Sequence, residues 1–427
     1  MLLESDEHFI YNLIELSHRF PPPQVKRNSK MNGYDRRQFL KSSLMGTSAV
    51  LAGLPSIAHS ESINPEKKVI TRKLGKTGIE LPIVSFGVMK ADNPALVRAA
   101  LEAGIVHFDT AHGYQRGRNE EMLGEVLKDR PRNSFVLATK VPPEDSDNRT
   151  GELRQGSTSK AFLEKLDISL KRLKLDHVDI LYVHGLTSRD AVLYPAMIEA
   201  VQSAKQLGKT KHVGVSVHRN EPEVIMAAVE SGVYEVVLTS VNFKQDHFAQ
   251  VKEAIAKAAQ AGVGIVAMKT MAGAFHDKER TKPINCKAAL KFVLQDPNVT
   301  TAIAGNTNFD HLAMNVSVNT ELEMTDAERE SLLLGKSQGG LYCQGCEHCT
   351  SNCPKGLPIP DLMRAYMYTY GYQQPELAHS LLTSLDVRDN PCSDCSHCTA
   401  TCAKGFDVAE RIADVSRLAQ VPLEFLS

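Results

Sequence analysis

Three absences narrow the reading of this 427-residue chain before any motif is considered. There is no excess of one charge: 49 basic residues against 50 acidic ones leave a formal net charge of -1, and no basic cluster stands out. Nothing electrostatic therefore recommends nucleic acid or anionic lipid as a partner. There is no long hydrophobic run either. The longest, around residues 49–54, falls far short of the roughly 20 apolar residues that span a bilayer, so no transmembrane anchor is expected. Finally, no Gly-x-Gly-x-x-Gly follows the first strand-like stretch, as it would in an open, doubly wound dinucleotide-binding sheet.

Apolar runs alternate with helical patterns instead, which is the rhythm of parallel strands joined by helices. Strands are expected over residues 81–89, 105–109, 135–140, 176–184, 213–217, 236–240, 264–269 and 300–304. Helices are expected over 94–103, 119–128, 159–173, 191–207, 223–231, 247–261 and 286–295. Eight such units are an α/β fold of the (β/α)₈ barrel type, which takes about 250 residues and leaves room for a small second module. Residues 141–158, rich in Pro, Asp, Ser and Gly, read as a long loop over the barrel mouth, either a lid or a disordered connection.

Barrels keep their chemistry where strands end, and here three consecutive strands close on ionisable side chains. Asp109 and Tyr114 follow the second strand, Lys140 ends the third and His184 the fourth. An ammonium beside a phenol favours the phenolate and so makes Tyr114 a better acid. Asp109 is placed to keep Lys140 protonated, and His184 to donate to a carbonyl oxygen.

Through Asp109, Tyr114, Lys140 and His184 in that order, with Arg72-Lys73-Leu74-Gly75-Lys76-Thr77-Gly78 before them and Gly214-Val215-Ser216 after, residues 69–320 resemble the aldo-keto reductase family. The resemblance implies a nicotinamide cofactor, NAD or NADP, and a small carbonyl or alcohol substrate. It assigns Ser216 to the nicotinamide carboxamide, Gly305, Asn306, Thr307 and Asn315 to the phosphate and adenine loop, and His311 to the 2'-phosphate position; Asn242 is a further expected cofactor contact, and Lys269 offers a charge near the pyrophosphate. Three positions depart from the family pattern: Leu238 stands for a Gln, Val241 for a stacking Tyr, and His311 for an Arg that reads the 2'-phosphate. Neutral His lacks the charged fork of Arg, so a preference for NADP is not expected.

The amino-terminal segment around Arg36-Arg37-Gln38-Phe39-Leu40-Lys41, with its modest apolar run and small residues near Ala58-His59-Ser60, resembles a twin-arginine export signal. It implies a periplasmic location, with residues 31–60 removed. Such signals begin close to the Arg pair, so either Met1 or Met31 is the start, and residues 1–30 are an untranslated or disordered extension.

After the barrel (residues 69–325), residues 338–427 hold eight of the nine cysteines in two copies of one spacing. Cys343-x-x-Cys346-x-x-Cys349-x-x-x-Cys353-Pro354 is followed by Cys392-x-x-Cys395-x-x-Cys398-x-x-x-Cys402, the pattern of a small ferredoxin-like domain with two [4Fe-4S] clusters. Zinc and disulfides are the rival uses of such cysteines. In the cluster pattern the fourth Cys of each run crosses over, which pairs Cys343, Cys346 and Cys349 with Cys402, and Cys392, Cys395 and Cys398 with Cys353. Ala403 replaces the usual Pro after the second run and is expected to loosen that turn. The segment 360–385 between the runs reads as helical, and its Tyr366, Tyr368, Tyr370 and Tyr372 form either a packing face or a docking surface for a redox protein partner. Cys286, alone at a helix start, reads as a buried small apolar residue. Two function classes follow: hydride exchange between a nicotinamide and a carbonyl or alcohol, coupled to one-electron transfer through the clusters, or an electron-transfer or binding protein whose barrel no longer turns over a nicotinamide.

Overall fold

The computed structural model describes residues 68–147, 151–276, 281–337 and 341–426. Met1, Met31, Arg36 and Arg37 lie outside the described residues, so the export signal is not among the features described. An antiparallel hairpin, β1 (Thr71–Lys73) and β2 (Glu80–Pro82), precedes a closed barrel of eight parallel strands. These are β3 (Val84–Gly87), β4 (His107–Asp109), β5 (Val136–Val141), β6 (Val178–Leu186), β7 (Thr210–Val217), β8 (Val236–Ser240), β9 (Gly264–Met268) and β10 (Thr301–Gly305), with β10 pairing back onto β3.

The helices of the outer wall are α1 (Pro94–Glu102), α2 (Arg118–Leu127), α3 (Ser159–Leu173), α4 (Arg189–Val192), α5 (Pro195–Gln206), α6 (Glu221–Ser231), α7 (Phe248–Gln260), α8 (Cys286–Leu294), α9 (Phe309–Ser317) and α10 (Asp326–Ser337). In α3, Thr158 caps the start by accepting from Ala161 N, and Lys174 ends it in a left-handed conformation. Between them Phe162, Leu166, Ser169, Leu170 and Leu173 recur at helical spacing and are buried. Phe162 is 1% exposed, and truncating it to Ala should cost about 3–5 kcal/mol.

Two expected elements are broken by proline. The first expected strand, 81–89, splits because Pro82 has no N–H for a central ladder; Leu81 pairs with Arg72 in the hairpin, and only Val84–Gly87 enter the barrel. The expected helix 191–207 stops after α4, because Pro195 forces Tyr194 into an extended conformation before α5 begins.

The barrel is filled, not hollow. Leu74, Leu81, Ala138, Ile180, Tyr182, Val236, Leu238, Val266 and Met268 form one buried cluster inside it. The hairpin closes the end of the barrel opposite the strand C-termini. There the Arg72 guanidinium donates to the carbonyls of Leu294 (2.8 Å), Asp296 (2.9 Å) and Val299. Side chains alternate along a strand, so the residues two beyond these core positions also face inward. Lys140 follows Ala138, His184 follows Tyr182 and His218 lies two past Ser216. The loop after β5 has local order of its own, with a bridge between Ser146 and Leu153 and Ser157 Oγ accepting from Asp145 N at 3.0 Å.

The C-terminal module is built of helices and loops: α11 (Ile359–Tyr366), a π-helical turn (Met367–Gly371), α12 (Pro375–Ser384) and α13 (Val408–Ser416). Ile359, Leu362, Met363, Ala378, Leu382, Ile412 and Val415 make its core. Arg411 donates to Leu341 O at 2.6 Å and lies over the rings of Phe406 and Tyr366. The turns after the two cysteine runs are alike: Gly356 N donates to Cys353 O and Gly405 N to Cys402 O, both at 2.9 Å. Ala403 therefore leaves its turn closed, because Gly405, at φ 71°, supplies the left-handed residue that Gly356 supplies at φ 57°.

Candidate active site

The quartet read from the sequence converges at the C-terminal end of the barrel. The β4–β5 ladder continues past β4, with Thr110 N donating to Ala138 O and His112 N to Lys140 O, both at 2.9 Å. This carries the chain round to Tyr114, which opens a tight turn. Lys140 is 1% exposed and uses its three N–H groups on Asp109 Oδ1, Thr110 O (2.7 Å) and the Tyr114 phenol oxygen (3.4 Å). Three donors require the ammonium form. Since the phenol oxygen accepts from Lys140, its own proton is free for another partner. The Tyr114 and His184 rings meet edge to face at 6.1 Å between centroids.

Burial dominates the protonation of all four residues. It pushes the Asp109 carboxyl up and the Lys140 ammonium down, and each group draws the other back toward its charged form. Tyr114 rises well above the ordinary phenol value through burial, Asp109, Tyr368 and Tyr372. This reverses the expected acidification by Lys140, whose charge is largely cancelled by Asp109. Tyr114 is consequently a neutral phenol, able to donate. Burial, reinforced by Lys140, Arg364 and His112, brings His184 down to about 3, so it is a neutral imidazole at pH 7.

The sequence reading missed the other half of the site. His218 closes β7 with its ring 6.1 Å from that of His184, and its Nδ1 is buried without a hydrogen bond. Its place at a strand end two residues after Ser216 was the available signal. Arg364, Tyr368 and Tyr372 come from the C-terminal module, whose first cysteine loop and α11 lie over the barrel mouth. Gln344 accepts from Asn242 Nδ2 at 2.9 Å, and Arg219 pairs with Glu347 at 2.9 Å and with Asp361 at 3.4 Å. Lys404 reaches Asp246 at 2.5 Å, and Lys90 Nζ sits 4.2 Å above the Tyr372 ring. Within the tyrosine segment, Tyr366 and Tyr370 pack together, whereas Tyr368 and Tyr372 form a second pair on the side of Tyr114. A π-helical turn places them there, a distortion often found at functional sites. Tyr114, His184, His218, Lys269, Arg364, Tyr368 and Tyr372 are surrounded by protein, yet each keeps an accessible part. They line a cleft between barrel and module. The shallow groove between α3 and α5, lined by Leu163, Glu164 and Gln206, lies on the outer wall away from these strand ends.

The residues that the resemblance gives to a nucleotide divide in two. After β10, Gly305 is exposed with open space beside it, and Asn308 caps α9 by accepting from His311 N at 2.8 Å. Asn315 donates to Asn306 Oδ1 at 2.8 Å, and its own Oδ1 is buried without a partner. His311 approaches Thr307 Oγ1 at 3.1 Å, and burial holds its ring below the usual histidine value. This half fits a phosphate group. The ring half does not. Ser216 is fully buried and accepts from Gly185 N at 2.9 Å, Asn242 is tied to Gln344, and Leu238 and Val241 are buried. Lys269, expected near the pyrophosphate, lies close enough to Arg364 and His218 for their charges to interact.

The eight cysteines of the two runs carry no disulfide. Burial pushes the Cys343 thiol up to about 12, and the neighbouring Cys349, Cys346 and Cys402 push the same way. The thiol of Cys392, at about 11, has Cys395, Cys398 and Cys353 around it. The two groups are those the crossed pattern requires. Among the described residues no three His, Cys, Asp or Glu side chains converge closely enough for a single metal ion. Gly345 N donates to Cys343 Sγ at 3.3 Å and Lys404 N to Cys402 Sγ at 3.4 Å, amide contacts that suit cluster thiolates. The donor set fits two iron–sulfur clusters. Cys286 differs from the expected buried residue: it is half-buried at the start of α8, and burial raises its thiol to about 11.

Comparison with known proteins agrees with this architecture. Residues 85–288 match the model of the aldo/keto reductase family, and residues 342–406 match that of a 4Fe-4S dicluster domain. L-galactose dehydrogenase of Arabidopsis thaliana is 27% identical over 307 residues, 62% of this chain and 92% of its own length. L-glyceraldehyde 3-phosphate reductase of Escherichia coli is 32% identical over 173 residues, covering 37% of this chain and 49% of its own. 6-Dehydroglucose reductase of Novosphingobium aromaticivorans is 34% identical over 165 residues, 34% of this chain and 50% of its own. A solved thermostable aldo-keto reductase, 20% identical, superposes with a TM-score of 0.50 over 63% of this chain and all of its own, a likeness of fold. No helix of the described residues is long and apolar enough to cross a membrane. Barrel, dicluster match and reductase relatives together make this protein an oxidoreductase whose barrel is similar to those of the aldo-keto reductases.

Proposed function

We propose that the barrel interconverts a carbonyl and an alcohol on a small, sugar-like substrate, and that the reaction is coupled to electron transfer through two [4Fe-4S] clusters. The observation that carries the chemistry is the Lys140 ammonium donating to the Tyr114 oxygen from a pair locked to Asp109. The phenol proton is then the one available to a carbonyl oxygen in the cleft. In reduction Tyr114 gives that proton, and in oxidation it takes it back. His184, neutral, donates its ring N–H to the same oxygen and orients it. Asp109 keeps Lys140 in place and charged. The substrate class follows the relatives named for galactose, glyceraldehyde 3-phosphate and dehydroglucose.

An alcohol differs from its carbonyl by two electrons and two protons: Tyr114 carries the proton on oxygen, the clusters, when bound, would exchange the two electrons singly, and the hydrogen on carbon would come from solvent as a proton or from a nicotinamide as a hydride that brings its own electron pair. Cys343, Cys346, Cys349 and Cys402 would hold the cluster whose loop lies on the barrel mouth, and Cys392, Cys395, Cys398 and Cys353 the outer one, facing a redox protein partner. The exposed phosphate half is open to NAD or NADP, whereas the ring half is closed by Gln344 on Asn242 and Gly185 on Ser216. That closure favours a second reading, in which the barrel passes electrons without turning over a nicotinamide. The Arg36–Arg37 signal supports a periplasmic site, which folded, cluster-loaded protein reaches by the twin-arginine route.

The test is Tyr114→Phe in cluster-loaded protein, assayed with sugar aldehydes using NADPH and, separately, a reduced viologen. Turnover is expected to fall about 10²- to 10⁴-fold with either donor, with iron content unchanged. Near-normal turnover in Tyr114→Phe would sink the acid assignment. Activity with viologen but not NADPH selects the second reading.

A further inference from the structure

We propose that the cleft recognises a carboxylate on its substrate through Lys269 and Arg364, so that the molecule turned over is a hydroxy- or oxo-acid. The inference rests on the reading of the cleft as the site of carbonyl chemistry and adds the substrate's charge. Lys269 follows β9 with φ 56°, a left-handed conformation uncommon for a lysine. Its carbonyl accepts from Ala272 N at 3.2 Å, but its ammonium makes no hydrogen bond or ion pair with any described residue. Glu221, Asp361 and the Cys343 thiol lie near it besides the cation Arg364, and the two carboxylates are already occupied. Glu221 bonds His247 at 2.9 Å and Gln245 at 3.3 Å, and Asp361 is shared between Arg364 at 2.7 Å and Arg219 at 3.4 Å. Lys269 is thus an enclosed cation without a counter-ion of its own.

Arg364 comes near the same place from α11 of the C-terminal module. Its guanidinium carries five N–H donors and has one described partner, Asp361, on the module side. Its charge is felt by His184, His218 and Lys269. A planar fork and a point charge near one another are the pieces that grip a carboxylate, the fork fixing its orientation. His184 and Tyr114 lie in the same cleft, so an acid held here presents its carbonyl or hydroxyl to them. Two other uses of the pair must be set aside: counter-charge for the thiolates around Cys343, and a seat for nucleotide phosphate.

The experiment measures binding to cluster-loaded protein by calorimetry, using D-glucuronate against D-glucose and pyruvate against hydroxyacetone, in wild type, Lys269→Met, Arg364→Met and Arg364→Lys. Wild type is expected to bind at least one acid about tenfold tighter than its neutral partner. Each Met variant should erase that preference without weakening the neutral compound, and Arg364→Lys should keep part of it. Should Arg364→Met unfold because Asp361 is orphaned, Lys269→Met carries the test alone, having no described partner to orphan. Equal binding of acids and neutral partners in wild type overturns the proposal. So does a shift of cluster midpoint potential in the variants with the acid preference intact, which is the counter-charge outcome, or a loss of ADP-ribose binding alone, which is the phosphate outcome. The titrations are repeated in Tyr114→Phe, which needs no turnover, so failure of the acid preference and failure of the catalytic reading are separate results.

Discussion

Replacing Lys140 with Met would leave one of the most buried carboxylates in the molecule without its cation. Asp109 and Lys140 are each 1% exposed, and Asp109 Oδ2 has no hydrogen-bond partner, so Lys140 is its whole compensation. Breaking a buried pair by removing one member costs about 3–5 kcal/mol, because the remaining charge is stranded. Removing both charges, as in Lys140→Met with Asp109→Leu, leaves no stranded charge, only Thr110 O and the longer contact to the Tyr114 oxygen without their donor, at about 1–3 kcal/mol. The double variant should therefore be more stable than Lys140→Met by about 2 kcal/mol, a non-additivity that a double-mutant cycle in urea, with Asp109→Leu as its third corner, resolves. The single variant also has a pH signature. With Lys140 gone, burial raises Asp109 above its unfolded value, so the folded state binds the extra proton. The deficit should shrink as pH falls from 7 toward 5 and grow as it rises. Barrel unfolding is followed separately from cluster loss, since a chain with metal centres is not expected to be two-state. Simple additivity of the two substitutions, or a deficit independent of pH, would refute the ion-pair argument.

The other predictions concern histidine, the clusters and the nucleotide. His107, fully buried and bonded to Ser85 at 3.0 Å, is held down to about 4 by burial, so the unfolded chain binds its proton first as pH falls below 6.5. Stability contributed above that value should drop by about 2 kcal/mol between pH 6.5 and 5, and His107→Gln should flatten that part of the acid denaturation curve. Cys353→Ser should remove the cluster held by Cys392, Cys395 and Cys398 and spare the one held by its own run's first three cysteines. Anaerobic iron would fall from about eight to about four per chain; loss of the other cluster by electron paramagnetic resonance would disprove the crossed pairing. Because His311 is neutral at pH 7, NADP should bind no more than about tenfold tighter than NAD, which is roughly 1.4 kcal/mol. Fluorescence titration giving a hundredfold preference would show that another cation reads the 2'-phosphate.

What the sequence determined by itself was whatever depends on neighbours along the chain. Alternating patterns located all eight barrel strands, and strand-end position picked out Asp109, Tyr114, Lys140 and His184, because a two-residue period forces every second side chain inward. Cysteine spacing likewise defined the module, since cluster ligation is set by short loops. Its limits were local where proline intervened, at Pro82 and Pro195. The tertiary structure decided everything that required two distant segments to meet. Gln344 occupies Asn242, Arg364 comes near Lys269, and Tyr368 and Tyr372 wall the cleft beside Tyr114, contacts spanning about a hundred to about 260 residues of chain that no periodicity encodes. Protonation was decided there too. Lys140 beside Tyr114 suggested an acidified phenol, but burial and Asp109 reversed the direction, because the field at a buried oxygen depends on what encloses it and not on its nearest charge alone.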